Sequence, residues 1–262
     1  MAVLAFLVPH WRVLLLSFRL SGDFSLDALR NAQGYAEFRH RQTGILMVLL
    51  PAGSYLMGEE EGRFDERPRH RVFLDSFLIA KHEVSQSVWE RVMGSNPSGF
   101  PGAGRPVEMV SWNDCRDFCA RTGLELPTEA QWEYACRAGT DTPYSTGERL
   151  TAREARVNGA AFDEGSGTEP VGSFPPNGFG LHDLHGNVPE WCQDVYDSQF
   201  YQRPEASGSN PAGRDPPNGP RAIRGGGWRS RPEDCGSARR MSADPDNRLI
   251  VIGFRPAFRL PP

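Results

Sequence analysis

Apolar positions are dense in the first half of the chain and sparse in the second. Residues 45–50 form an unbroken apolar run closed by Pro51, Ala52 and Gly53, which predicts a buried strand. Residues 54–58 predict its hairpin partner, and residues 71–79 a second strand pair or one bent strand. Three helices then carry start and stop signals: Ser85 to Gly94, Ser111 with Asp114 to Gly123, and Thr128 with Gln131 to Gly139. Trp112, Phe118, Trp132 and Tyr134 fall on these helices and predict core anchors. Beyond residue 140 helical periods disappear. Turn residues dominate at 175–178, 186–187 and 208–219, so the second half predicts a loop-rich fold.

One stretch combines a stiff frame with an unpatterned interior. Arg224, three glycines and Trp228 open it, and Ile252, Gly253, Phe254 and Arg255 close it. Glycine triplets suit backbone that must bend or approach closely where no Cβ fits. No helix or strand period runs through the residues between. A fixed frame around contacts of mixed chemistry is how a binding surface reads.

Composition narrows the classes. The chain has 262 residues, enough for one large domain or two small ones, and a sizeable core without cross-links. A net charge of −4 argues against a nucleic-acid binder, which normally carries a basic face. Arg224, Arg229, Arg231, Arg239 and Arg240 make a local basic run, read either as solvated loop arginines or as a phosphate contact. The acidic residues at 59–66 predict a solvated loop. Of five cysteines, Cys115 and Cys119 lie one helical turn apart without the second pair a zinc site needs. Reduced, buried thiols in a cytoplasmic protein are the expectation, with export as the alternative. The apolar start lacks a basic flank and is broken at Pro9 before reaching membrane-spanning length. Residues 1–42 share no pattern with the rest of the chain, so a boundary is expected near Thr43, with a single domain over 43–262.

Several blocks together resemble one family. They are Glu83 to Ser98, Arg105 to Trp112, Leu126 to Tyr134, Pro175 to Leu181, Gly186-Asn-Val-Pro-Glu-Trp191, and the Arg224–Trp228 and Gly253–Arg255 frame. Their order resembles that of the formylglycine-generating enzyme (sulfatase-modifying factor) family over roughly residues 43–258. The resemblance implies an α+β fold, a variant of the C-type lectin fold rich in irregular chain. It implies a structural calcium held by Asp183, Gly186, Val188 and Glu190, two carboxylates and two carbonyls suited to a hard cation. A weaker second site maps to Asn158, Gly159, Asp163 and Gly165.

The resemblance also bears on catalysis. Members that oxidise cysteine use two cysteines five residues apart to hold copper. Here the second position is Cys235 but the first is Ser230, and a hydroxyl is a poor substitute for a soft thiolate. No copper is therefore expected, and no catalytic residue is assigned unless Cys235 serves an oxidase of this type, the runner-up reading. A regulatory module, like relatives fused to kinases, is a third. The family includes variable proteins of diversity-generating retroelements, and the C-terminal frame at about 224–255 is similar to theirs. That similarity implies a non-catalytic protein that binds a protein or peptide ligand. Its surface would comprise Trp228, Arg229, Ser230, Arg231, Glu233, Asp234, Gly236, Arg239, Met241, Ser242, Leu249, Ile250 and Val251.

Overall fold

A computed structural model describes residues 8–157, 167–214, 216 and 218–261. In chain order the elements are α1 (His10–Arg19), β1 (Phe24–Ala28), β2 (Glu37–His40), β3 (Leu46–Leu50), β4 (Gly53–Met57), β5 (His70–Leu74), β6 (Phe77–Ala80), α2 (Gln86–Met93), α3 (Trp112–Thr122), α4 (Glu129–Arg137), β7 (Glu190–Val195), β8 (Gly208–Ser209), β9 (Arg221–Arg224), β10 (Met241–Ala243) and β11 (Ala257–Arg259). They form an α+β molecule with three small sheets: β1-β2-β3-β6-β11, β10-β9-β7 and β4-β5-β8.

The apolar run at 45–50 is β3, as its composition requires, and its four C-terminal residues are buried. Its partner differs from the expectation. Residues 53–57 turn away and pair with β5, while β3 pairs with β6 through Val48 and Ile79. Residues 71–79 accordingly divide between two sheets instead of forming one hairpin. Glu66 of the acidic segment is buried and ion-paired to Arg239, so that loop is not wholly solvated.

Helix starts behave locally, as capping chemistry predicts. Ser111 accepts from the Asp114 amide and Thr128 from the Gln131 amide, each with the reciprocal bond of a capping box. Ser85 sits at the N-cap of α2 without such a bond. Gly94 and Gly123 end α2 and α3 in the left-handed conformation, whereas Ala138 takes that place on α4.

The expected boundary near Thr43 is absent. β1 and β2 extend the largest sheet, with Phe38 opposite Met47 and both fully buried. Val13 on α1 and Leu20 at its C-terminal cap pack into the same core cluster as Phe24, Phe38 and Met47. Residues 10–40 belong to the domain because the β3 edge needs a partner and a cover. A second cluster gathers Trp89, Phe118, Trp191 and Phe254 between α2, α3 and β7. A third packs α4, through Trp132 and Tyr134, against β3–β6. The four predicted aromatic anchors are all buried. No helix among the described residues is long and apolar enough to cross a membrane.

Candidate functional site

The C-terminal frame leaves the molecule at the end of β9 and returns as β10, which pairs with β9 at Met241 and Ile223. β10 is the edge strand of its sheet. The three glycines are needed where they stand. Gly225 and Gly226 have φ of 94° and 64°. A Cβ on Gly226 would lie 2.4 Å from the Cys235 sulfur, and one on Gly227 2.4 Å from the Pro189 ring.

Trp228 is buried behind the surface, edge-on to Phe100 at 5.2 Å, with its amide donating to the Asn187 carbonyl at 2.8 Å. It supports the frame and is not an exposed contact. Ser230 Oγ accepts from the Gly227 amide at 3.0 Å. Cys235 is fully buried among Tyr144, Leu150 and Ala155, with its sulfur 3.4 Å from the Arg231 carbonyl. Burial pushes the Cys235 thiol up to about 12. The two family positions are thus held as a hydroxyl bonded to the Gly227 amide and a protonated thiol bonded to the Arg231 carbonyl. This pair offers no two thiolates to a copper ion.

Above them lies a cavity of about 260 Å³. Pro189, Ile223 and Ile252 line it with Met241, Leu249 and Val251, and Arg229, Ser230 and Ser242 contribute polar groups. Leu249 stands 42% exposed at the cavity. Six of the residues expected in a binding surface converge here: Arg229, Ser230, Met241, Ser242, Leu249 and Val251. Pro189 and Ile223 were missed because they lie outside the insert.

The remaining expected contacts lie elsewhere. Ile250 turns inward against Gly99, where an added Cβ would meet it at 2.7 Å. Asp234 pairs with Arg63 at 2.9 Å and with Arg239 at 3.4 Å, while Arg239 also holds Glu66 at 3.2 Å. Arg231 and Glu233 are exposed 3.9 Å apart, and the Gly236 carbonyl accepts from the Arg239 amide. None of these lines the groove.

The basic run divides as well. Arg224 and Arg240 are neither solvated nor open to phosphate. Arg240 binds Glu129 at 2.7 Å, and Arg224 bridges Glu133 and the Ser237 carbonyl, all buried.

Glu190 does not fit the expected calcium role. Arg255 donates to its two oxygens at 2.7 to 2.9 Å, and Trp132 Nε1 donates to it at 2.8 Å. A carboxylate saturated by a guanidinium has neither the lone pairs nor the net charge a calcium ligand needs. Val188 presents its amide to Glu83 at 3.2 Å, and the same carboxylate accepts from Asn187 at 2.7 Å. Asp183 is different. Its Oδ2 accepts from Gly172 at 2.6 Å, while its Oδ1 is buried without a hydrogen-bond partner. Burial raises its pKa to about 6. Among the described residues no group of three or more His, Cys, Asp or Glu side chains gathers as a metal cage. Of the expected set, Glu190 is thus committed to Arg255, while Asp183 keeps one buried oxygen without a partner. Asn158, Gly159, Asp163 and Gly165 lie outside the described residues.

The two loop histidines are structural. His182 bonds the Phe174 carbonyl at 2.7 Å, and His185 bonds the Cys235 carbonyl at 2.8 Å and Ser145 Oγ at 3.0 Å. All five cysteines are free and buried.

A model of the sulfatase-modifying factor enzyme 1-like domain matches residues 33–260. The chain is 34% identical over 236 residues to the serine/threonine-protein kinase pkn1 of Chlamydia caviae, covering 80% of this chain and 37% of that protein. It thus spans little more than a third of the kinases it matches. It is 36% identical over 182 residues to the formylglycine-generating enzyme of Streptomyces coelicolor, covering 64% of this chain and 57% of the enzyme. Among solved structures, Treponema denticola variable protein 1 superposes with a TM-score of 0.71 at 27% identity, over 82% of this chain and 96% of that one. PvdO from Pseudomonas aeruginosa does so with a TM-score of 0.73 at 30% identity, over 86% and 98%.

Proposed function

The chain belongs to the sulfatase-modifying factor enzyme 1-like family, and on that scaffold we propose that it is a non-catalytic binding protein. Its ligand is a protein or peptide segment that places an apolar side chain in the groove beside β10. The observation that carries this reading is a serine at position 230 and a single buried thiol, Cys235, beside an open apolar groove. Where copper chemistry needs two thiolates the chain offers one thiol, and where a ligand needs contact area it offers Met241, Leu249 and Val251. Likeness to a variable protein supports reading residues 229–251 as exchangeable contacts on a constant frame. The net charge of −4 favours a protein over a nucleic acid as partner. Five buried free thiols suit the reducing cytoplasm.

Peptide-library selection on the purified chain tests this. Selected peptides should share an aliphatic or aromatic anchor. The double variant Leu249→Ala, Val251→Ala should weaken them at least about ten-fold, the loss expected for two buried aliphatic contacts. Stoichiometric copper(I) binding, with aldehyde formation on a cysteine-containing sulfatase peptide, would instead establish the oxidase reading.

A further inference from the structure

A second cavity, of about 520 Å³, opens between α3, β7, β9 and β11. Its lining is unusual in sign. Arg116, Arg214, Arg221 and Arg259 contribute four guanidiniums against one carboxylate, Glu125. The chain as a whole is acidic, at −4, so this is a local concentration of positive charge.

The centre is fixed. Trp112 is 5% exposed, and its indole N–H donates to the Cys192 carbonyl at 2.8 Å. Arg221 lies over that ring at 3.9 Å from the centroid and Arg116 at 5.1 Å. One indole thus orients two cations, as cation–π attraction favours. The two cations oppose each other. After burial, the charge of Arg116 is the main influence holding the Arg221 guanidinium below its ordinary range. Glu125 is offset by Arg259, whose charge draws the raised carboxyl back down. Among the described residues, neither Arg116 nor Arg214 forms an ion pair.

We propose that this cavity binds a compact polyanion bearing phosphoryl or sulfuryl oxygens. Planar guanidiniums with several N–H donors match such oxygens in pairs, and a bound anion removes the repulsion between Arg116 and Arg221. The volume exceeds that of a dozen waters at about 30 Å³ each, room for more than one oxyanion group. Trp112 is buried with Arg221 over its ring, so it is not open to stack on a nucleobase. The ligand is read by charge and shape.

Pyrophosphate titrated into the full chain at low salt, followed by calorimetry, tests the site. Saturable one-to-one binding is expected, with a matching rise in melting temperature. The double variant Arg116→Glu, Arg259→Glu should weaken it at least about ten-fold, since hydrogen bonds to charged groups are individually worth that much. Both positions are exposed, so the double variant should still fold, checked by a cooperative unliganded melting transition. Arg229→Glu, in the peptide groove, should bind pyrophosphate like the parent. Sulfate run at equal ionic strength ranks the two chemistries, and either one saturating with loss in the double variant supports the site. Absence of saturable binding by both, parental affinity in the double variant, or equal loss in Arg229→Glu would overturn it.

Discussion

Glu190 shows how a residue's surroundings decide its chemistry. Its spacing from Asp183 marks a pair of carboxylates, and spacing alone is silent about what neutralises them. Arg255 arrives from 65 positions further along and occupies both oxygens of Glu190, with no side-chain exposure of its own. A residue that the sequence marks only as the close of the frame is thus the counter-ion. Such a pair adds little over an apolar replacement, yet removing one partner strands the other charge in the interior. Glu190→Gln is therefore expected to destabilise the fold by about 3 kcal/mol, read by urea denaturation at neutral pH. A loss under about 1 kcal/mol would mean that Arg255 finds another partner. Ser230 was legible in a different sense. Its identity alone weakens the case for copper chemistry, but only the fold shows that its hydroxyl is engaged by the Gly227 amide.

Helix caps were readable and strand partners were not, and the reason is range. Ser111 and Thr128 each act on a backbone amide three residues away, so the signal and its effect share one short window. Ser111→Ala should cost about 1 kcal/mol through loss of that cap, measured as a shift in the thermal midpoint, with Ser85→Ala costing clearly less because Ser85 makes no cap bond. The pairing of β4 with β5 depends instead on a contact across an intervening loop. An apolar run says that a strand is buried and not beside which neighbour. The insert after β9 combines both situations. Its glycines were legible as close approaches, while Ile250 and Arg239 turned inward through contacts with Gly99 and Glu66 that no local pattern displays.

For the whole molecule, the main correction is the N-terminal limit. β1 and β2 lack the blocks that resemble the family, so the sequence separated them from the domain they complete. Their burial argues that they are required: Phe24 and Phe38 pack with Met47, Leu49 and Leu78. A chain starting at residue 43 should lose cooperative unfolding, monitored by calorimetry. The full chain should show it. A sharp transition in the shorter chain would show that the edge of β3 tolerates exposure.

Ionic strength acts unevenly on charges placed this way. Arg224, Arg240 and Arg255 hold their carboxylates with side chains wholly withdrawn from solvent. A counter-ion atmosphere, about 10 Å thick at 0.1 M salt, screens exposed charges and leaves buried pairs nearly untouched. The arginines lining the cavity beside Trp112 are mostly exposed and stand within that atmosphere. Salt therefore separates two populations of arginine in one protein: those that maintain the fold keep their grip in brine, and those that face outward lose it.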